Sequence, residues 1–269
     1  MNYTQLYEQI KQKRSFLCVG LDSDPALFPE CLKECRYPIF EFNKAIITAT
    51  APYAVAYKPN TAFYEAEGAE GWKQLEMTVE FIKTRYPDIL VIADAKRGDI
   101  GNTAKRYARC FFRSMPCDAV TLAPYMGGDS VKPFLEYEGK WSVVLALTSN
   151  ESANDFEQLP VGEMPLYEKV IRETMTWGSK ENTMFVVGAT RPEKLKEIRA
   201  YCPDHFFLVP GVGAQGGTVA EVARFGLNAH CGLLINSSRG IIFADKTENF
   251  AAAAGEKAKE IALEMAKYI

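Results

Sequence analysis

Short runs of apolar residues alternate along the chain with longer segments in which apolar residues recur every three or four positions. The short runs are almost continuous, which is typical of strands in a parallel sheet that is covered on both faces. The longer segments have the spacing of helices that bury one side. The pattern predicts strands at residues 16–22, 54–60, 89–96, 119–124, 142–149, 184–189, 206–210 and 231–236.

A predicted helix follows each predicted strand, and one more precedes the first. Eight strand–helix units in 269 residues favour a closed (β/α)8 TIM barrel over an open doubly wound sheet, since about 250 residues is the usual size of such a barrel. No linker or low-complexity segment divides the sequence, so we expect residues 1–269 to form a single domain. The helices are predicted at residues 3–13, 38–51, 70–85, 100–114, 129–137, 164–178, 191–201, 217–226 and 248–268.

Composition excludes several classes of partner. The net charge is −3 and no basic stripe is present, so we expect no binding to nucleic acid. No apolar run approaches the roughly 18 residues of a membrane span, and residues 1–6 read as a polar helix start rather than a signal peptide. The seven scattered cysteines indicate reduced thiols and a cytoplasmic protein. With only two histidines, we expect a Lys, Asp or Tyr proton donor and no metal site.

Charged residues gather where the third predicted strand ends. In a barrel of this kind the chemistry lies at the carboxyl ends of the strands. Asp94 and Lys96 share a face, because residues two apart in a strand point the same way, and Asp99 follows at the turn into a helix. Two carboxylates and an ammonium group at the end of so apolar a strand indicate a catalytic site. A salt-bridged strand end without function is the alternative.

The segments after the seventh and eighth strands have the chemistry of a phosphate site. Residues 210–218 are rich in glycine and precede a helix, so their backbone N–H groups can approach an anion at the helix N-terminus. Arg239 in the second segment can add a bidentate contact. These two loops are also the usual phosphate site of the fold. A tight turn beside a surface arginine is the alternative.

Four segments of the chain, taken together, resemble the orotidine 5′-phosphate decarboxylase family, in its longer-chain bacterial branch. Residues 94–100 match the family signature Asp-x-Lys-x-x-Asp-Ile, and residues 210–217 match its phosphate loop. Residues 19–22 and 57–60 match the ends of its first and second strands. The resemblance implies decarboxylation of orotidine 5′-monophosphate to uridine 5′-monophosphate, the last step of de novo UMP synthesis. It also implies a reaction without metal or cofactor, in a homodimer with shared active sites.

The resemblance also implies a role for individual residues. Lys96 resembles the proton donor to C6 of the pyrimidine, Asp94 the carboxylate beside the substrate's own, and Asp99 the residue that reaches into the partner's site. After the fifth strand, the sequence Thr148-Ser149-Asn150 departs from the Pro-Gly step frequent in the family. The resemblance therefore does not predict the lid geometry of the long loop 150–163. Implied substrate contacts are Ile100 and Thr103 beside Asp99, Asp22 and Lys58 at the ribose, Ser149 at the pyrimidine, and Pro210, Gln215 and Arg239 at the phosphate end.

Two other functions stay open on the sequence. One is a metal-dependent sugar-phosphate lyase of the same barrel suite. Such relatives place an acidic metal ligand at the end of the second strand, where this chain has Lys58, a cation that would repel Mg²⁺. The other is a non-catalytic phosphoribosyl-binding protein, which would need the phosphate loops but not Asp94, Lys96 and Asp99.

Overall fold

Eight parallel strands close into a barrel in the computed structural model, which describes residues 1–189, 192–212 and 217–269. Each strand pairs with its neighbours in the chain, and the last pairs with the first through Leu17 and Ile235. The (β/α)8 TIM barrel predicted from the apolar runs is therefore confirmed. Strands one to eight are Leu17–Leu21, Ala54–Pro59, Leu90–Arg97, Ala119–Leu122, Trp141–Leu147, Thr183–Val187, Phe206–Pro210 and Leu233–Ser237.

Helices surround the barrel at most of the predicted positions. The segment predicted as a helix at 129–137 is instead a 3-10 turn, Gly128–Ser130, followed by one helical turn, Lys132–Leu135. Single-turn helices at Ala62–Glu65 and Arg239–Ile242 were not predicted, because one turn is too short to show a period of 3.6 residues. The longer helices are Tyr3–Lys13, Pro38–Thr50, Gly68–Arg85, Gly101–Arg109, Leu166–Trp177, Pro192–Tyr201, Val219–Gly226 and Phe250–Met265.

The N-terminal helix covers the amino ends of the strands. Asn2 and Gln5 form a capping box at its start, and Leu6 and Ile10 on its inner face are fully buried. At its end Lys13 Nζ donates to the carbonyl of Ala54, the first residue of strand two, over 2.6 Å. This end of the barrel is therefore closed, and polar side chains at the carboxyl ends of the strands lie at the opposite, open end.

Arg199 ties together the loops that enter strands seven and eight. Its guanidinium donates to the carbonyls of Cys202, Pro203, His205, Gly226 and Gly232 over 2.7–3.2 Å. The same group lies 3.7 Å above the centroid of the Phe207 ring. Burial lowers the pKa of Arg199 to about 10, so it stays charged at neutral pH.

Among the described residues, no helix is both long enough and apolar enough to cross a bilayer.

We expect Arg199→Met to destabilise the protein by about 2–4 kcal/mol, because several carbonyls lose their donor at once while the apolar stem is kept. Urea unfolding followed by circular dichroism measures this as a lower midpoint with an unchanged slope. The exposed Arg85 provides the matched control, and Arg85→Met should shift the free energy of unfolding by less than about 0.5 kcal/mol. Equal effects of the two substitutions would show that the carbonyl network does not stabilise the barrel.

Candidate active site

A cleft of about 650 Å³ opens at the carboxyl ends of the strands. This volume is in the usual range for a small-molecule site. Side chains from strands one, two, three, seven and eight converge there, although they are far apart in the sequence. Of the residues predicted to bind or act on a substrate, those that line it are Asp22, Lys58, Asp94, Pro210 and Arg239.

The Asp94 carboxylate lies between two ammonium groups. Lys58 Nζ donates to Asp94 Oδ2 over 2.8 Å, and Lys96 Nζ donates to Asp94 Oδ1 over 2.6 Å. Lys58 and Asp94 are buried, whereas the Lys96 side chain is 51% exposed. Asp94 and Lys96 therefore lie side by side, as predicted, although not through the regular alternation of a strand. One buried carboxylate holds two cations: Lys58, which lines the cleft, and Lys96, which is the more exposed of the two.

Burial and charge act in opposite directions on these groups. Burial alone would raise the pKa of Asp94, but the charges of Lys58 and Lys96 and their hydrogen bonds outweigh it and hold that pKa well below its ordinary value. Burial alone would lower the pKa of Lys58, but Asp94 and Asp22 outweigh it and raise that pKa. Both groups are therefore ionised at neutral pH, and the buried pair is a fixed dipole in the wall of the cleft.

A bulge in strand three brings Lys96 to this position. Ala93 pairs with Val120 and Arg97 with Leu122, so three residues of strand three lie opposite Thr121 alone. Lys96 has a φ of +46°, in the left-handed region that costs a non-glycine residue about 1–2 kcal/mol. The bulge therefore places Asp94 and Lys96 side by side at the expense of a strained backbone.

Thr121, which the sequence analysis did not select, supports both charged residues from strand four. Its hydroxyl accepts a hydrogen bond from the Lys96 backbone N–H over 2.9 Å and donates to Asp94 Oδ1 over 3.0 Å. It is 1% exposed. A single polar residue inside the apolar run of strand four was the only sequence signal for it.

A second residue that the sequence analysis missed holds Asp22 at the end of strand one. Ser238, directly before Arg239, donates its hydroxyl hydrogen bond to Asp22 Oδ2 over 2.6 Å. The other oxygen, Asp22 Oδ1, lies 4.0 Å from Lys58 Nζ and is buried without a hydrogen-bond partner among the described residues. Asp22 therefore lines the cleft with acceptor capacity that no described residue uses.

The predicted phosphate loops flank the same cleft. Val212 and Gly217 form a β-bridge that brings the two ends of the first loop together. A Cβ atom at Gly217 would lie 2.7 Å from the Cβ of Ala189, so glycine is required for this close approach. Arg239 is exposed and lines the cleft from the second loop. Gln215, the other predicted phosphate contact, lies outside the described residues.

The remaining predicted site residues lie at the rim. Asp99 follows strand three, is half-buried, and accepts a hydrogen bond from the Ile100 N–H over 2.7 Å. Ile100 and Thr103 are exposed at the start of the following helix. Ser149 is half-buried directly after strand five. These four residues therefore lie at the open end of the barrel, as predicted. Their roles stay predictions.

The long loop after strand five has structure of its own. It contains a 3-10 segment, Glu151–Asp155, and a short antiparallel pairing of Pro160–Val161 with Met164–Pro165. Glu157 accepts hydrogen bonds from the N–H and the hydroxyl of Thr148 over 2.7 and 2.8 Å. The loop is therefore fastened to the strand end next to Ser149.

Comparison with known proteins gives one consistent family. Residues 15–254 match the family model described as Orotidine 5′-phosphate decarboxylase / HUMPS family. The orotidine 5′-phosphate decarboxylase of Phocaeicola vulgatus is 57% identical over 269 residues, covering 99% of this chain and 98% of that protein. The OMP decarboxylase structure from Leishmania donovani superposes with a TM-score of 0.83 at 39% identity, covering 99% of this chain and 100% of that one. The chain therefore belongs to the orotidine 5′-phosphate decarboxylase / HUMPS family.

Proposed function

We propose that this chain decarboxylates orotidine 5′-monophosphate to uridine 5′-monophosphate, the step of pyrimidine biosynthesis that yields UMP, with residues 1–269 acting as one catalytic domain. The observation that carries the proposal is the Lys58–Asp94–Lys96 array, with Lys58 and Asp94 buried and Lys96 exposed, beside a cleft flanked by two phosphate-type loops. Relatives that cover nearly the whole chain have the same named activity. Lys96 is the proposed proton donor to C6.

The charges of the array fit the electronic demand of this reaction. Loss of CO2 from a ring carbon without an adjacent electron sink leaves a localised carbanion. A cation fixed next to that carbon stabilises charge that develops only in the transition state. Lys96 has the exposure to reach a substrate, and Asp94 holds it 2.6 Å away in one orientation. Lys96 then delivers its proton to the carbon that has lost CO2.

Asp94 and the phosphate loops supply further parts of the rate enhancement. Asp94 is an anion beside a substrate carboxylate that leaves as neutral CO2, so repulsion falls as the reaction proceeds. The barrier must fall by on the order of 20 kcal/mol, which no single ion pair provides. Binding energy from the remote phosphate, at Pro210, Gln215 and Arg239, supplies the rest by closing the loops over the substrate.

The position of Lys58 favours this reaction over a metal-dependent sugar-phosphate lyase. A lyase of that kind needs a cluster of acidic oxygens for Mg²⁺. Lys58 Nζ already occupies one oxygen of Asp94 and lies 4.0 Å from Asp22. We propose that Lys58 and Asp22 contact the ribose hydroxyls, and that no metal or cofactor takes part. Turnover of orotidine 5′-monophosphate, followed by pyrimidine absorbance with and without EDTA, tests this.

We further propose that the protein is a homodimer whose active sites are shared. The rim next to strand three exposes apolar surface: Ile100 is 47%, Met126 48% and Tyr125 88% exposed. The loops that carry them are joined where Ala123 N–H donates to the Arg97 carbonyl over 2.8 Å. A second copy on this surface would cover the apolar side chains and bring Asp99, Ile100 and Thr103 towards the partner's cleft.

A cytoplasmic location belongs to the same proposal. All seven cysteines lie within the described residues and are free, and four of them are buried. Thiols remain free in reducing compartments, whereas in the periplasm or outside the cell they are usually oxidised to disulfides. This supports the location predicted from the sequence.

Lys96→Ala should abolish turnover while leaving a folded protein that still binds uridine 5′-monophosphate, because Lys96 is the exposed cation of the array and does not pack in the core. Steady-state turnover measures the first effect, and calorimetric titration with the product measures the second. A variant that keeps about a tenth of normal turnover would exclude Lys96 as the proton donor.

Arg239→Ala should lower kcat/KM for orotidine 5′-monophosphate by about 100-fold, the scale of a lost charge-assisted contact to phosphate. For orotidine, which lacks the phosphate, the same substitution should change kcat/KM by less than about twofold. Lys246, an exposed residue shortly after the single-turn helix that begins at Arg239, provides the control. Lys246→Ala should change kcat/KM for neither substrate. Equal losses for both substrates would assign Arg239 another role.

Asp99→Ala and Lys96→Ala homodimers should each be nearly inactive, yet their mixture should recover activity. In a heterodimer with shared sites, one site carries both substitutions and the other carries neither. Random exchange of equal amounts gives about half heterodimers and hence roughly a quarter of wild-type activity. Exchange under mild denaturation is verified with a mass tag on one variant. Verified exchange without recovery would show that Asp99 serves its own chain or that no shared dimer forms.

A further inference from the structure

Arg97, the residue after Lys96, places a charged group between the barrel wall and the outer helices. One of its guanidinium nitrogens donates to the Ala95 carbonyl over 2.9 Å, and another forms an ion pair with Glu65 in the single-turn helix after strand two. The guanidinium carbon lies 5.2 Å from the ring centroid of Tyr107 and 5.6 Å from that of Phe111. Arg97 therefore connects strand three to two separate outer segments.

Placing Arg97 in this layer costs folding free energy that an apolar side chain of similar size would not cost. The layer between strands and helices of a barrel is normally filled by apolar side chains. The Arg97 side chain is only 21% exposed, and its Nε is buried without a hydrogen-bond partner among the described residues. An unpaired buried donor costs about 1–3 kcal/mol. Leucine or methionine would fill the same space without that cost.

The contacts of Arg97 surround the strained bulge. Ala95, whose carbonyl it holds, lies between Asp94 and Lys96, and the left-handed backbone of Lys96 directly precedes Arg97. On the inner side Thr121 holds the Lys96 N–H and Asp94. Strained backbone persists only where its surroundings over-determine it. Thr121 fixes the bulge from inside the barrel, and Arg97 fixes it from outside.

We infer that Arg97, braced by Glu65, is a positioning residue for Lys96. It holds the bulge in the conformation that keeps the Lys96 ammonium group at the reacting carbon. The inference deepens the proposed function and rests on it for its kinetic readout. A displacement of about 1 Å at a reacting group can cost on the order of 100-fold in rate, whereas the loops proposed to bind the phosphate follow strands seven and eight, away from the bulge.

The first experiment compares Arg97→Met with Arg113→Met. Arg113 is exposed and lies over the Tyr137 ring, 5.7 Å from its centroid, in the helical segment that follows Tyr107. Arg97→Met should lower kcat by about 10- to 100-fold and change the dissociation constant for uridine 5′-monophosphate by less than about threefold. Arg113→Met should change neither quantity. Unchanged kcat in Arg97→Met, or parallel losses of kcat and product affinity, would overturn the inference.

Chemical rescue separates positioning by the cation from filling of space. Arg97→Ala leaves a hole between the two rings and Glu65, and millimolar guanidinium should restore part of kcat in this variant. Equimolar urea should restore none, and guanidinium should leave the wild-type rate unchanged. Glu65→Gln, a substitution of an exposed residue that spares the core, should also lower kcat, by a smaller factor than Arg97→Ala. Absence of both the guanidinium rescue and the Glu65→Gln effect would count against the inference even if Arg97→Met did not fold.

Amide hydrogen exchange provides a readout that does not depend on activity. In Arg97→Met the backbone amides of residues 94–99 should exchange at least about tenfold faster than in wild type, while strands seven and eight keep their protection. Unaltered exchange in that segment would refute the positioning role. A wild-type protein that fails to decarboxylate orotidine 5′-monophosphate would instead refute the proposed function, so the two failures are distinguishable.

Discussion

The pairing of one buried carboxylate with two ammonium groups is the interaction on which the open end of this barrel depends. Without Lys58, the buried oxygen Asp94 Oδ2 would lose its donor, and the carboxylate would be held only through Oδ1, by Lys96 and Thr121 among the described residues. A buried carboxylate oxygen without a donor favours protonation of the group or entry of water. Without Asp94, Lys58 would be a buried cation whose one remaining acidic neighbour among the described residues is Asp22 at 4.0 Å. The pair fixes a strong local field, and Lys96 is attached to that field at the edge that solvent and ligands can reach.

The two ends of the barrel divide stability and chemistry between them. At the amino ends the N-terminal helix and the carbonyl network of Arg199 close the structure, although Gln9 Oε1 and both ring nitrogens of His205 there have no hydrogen-bond partner among the described residues. At the carboxyl ends the backbone of Lys96 is strained, and one oxygen of Asp22 has no partner within the part of the chain that the structure describes. Functional sites in proteins commonly retain such unsatisfied or strained groups. Here the closed end supplies the stability that lets the open end keep them.

Sequence reasoning succeeded where the signal is local. Continuous apolar runs are sufficient to locate buried parallel strands. The two-residue spacing predicted the contact of Asp94 with Lys96, although a bulge and not regular alternation produces it. The partners within the site come from other segments: Thr121 from strand four and Lys58 from strand two hold Asp94, and Ser238 from the loop after strand eight holds Asp22. Such contacts depend on the register between strands and on a bulge, which no periodicity shows. The roles of Asp99, Ile100, Thr103 and Ser149 depend on a ligand or a second chain, so they stay predictions.

The Lys58–Asp94 pair also constrains how this barrel can evolve. A route from this site to a magnesium-dependent one passes through replacement of Lys58 by an acid, which would set two carboxylates where an ion pair 2.8 Å apart now lies. Breaking a buried pair in this way costs about 3–5 kcal/mol, a large part of the stability of an ordinary domain. Only simultaneous capture of the metal offsets that loss. The two chemistries are therefore separated by an unstable intermediate sequence, and change at position 58 is conditional on change elsewhere in the site.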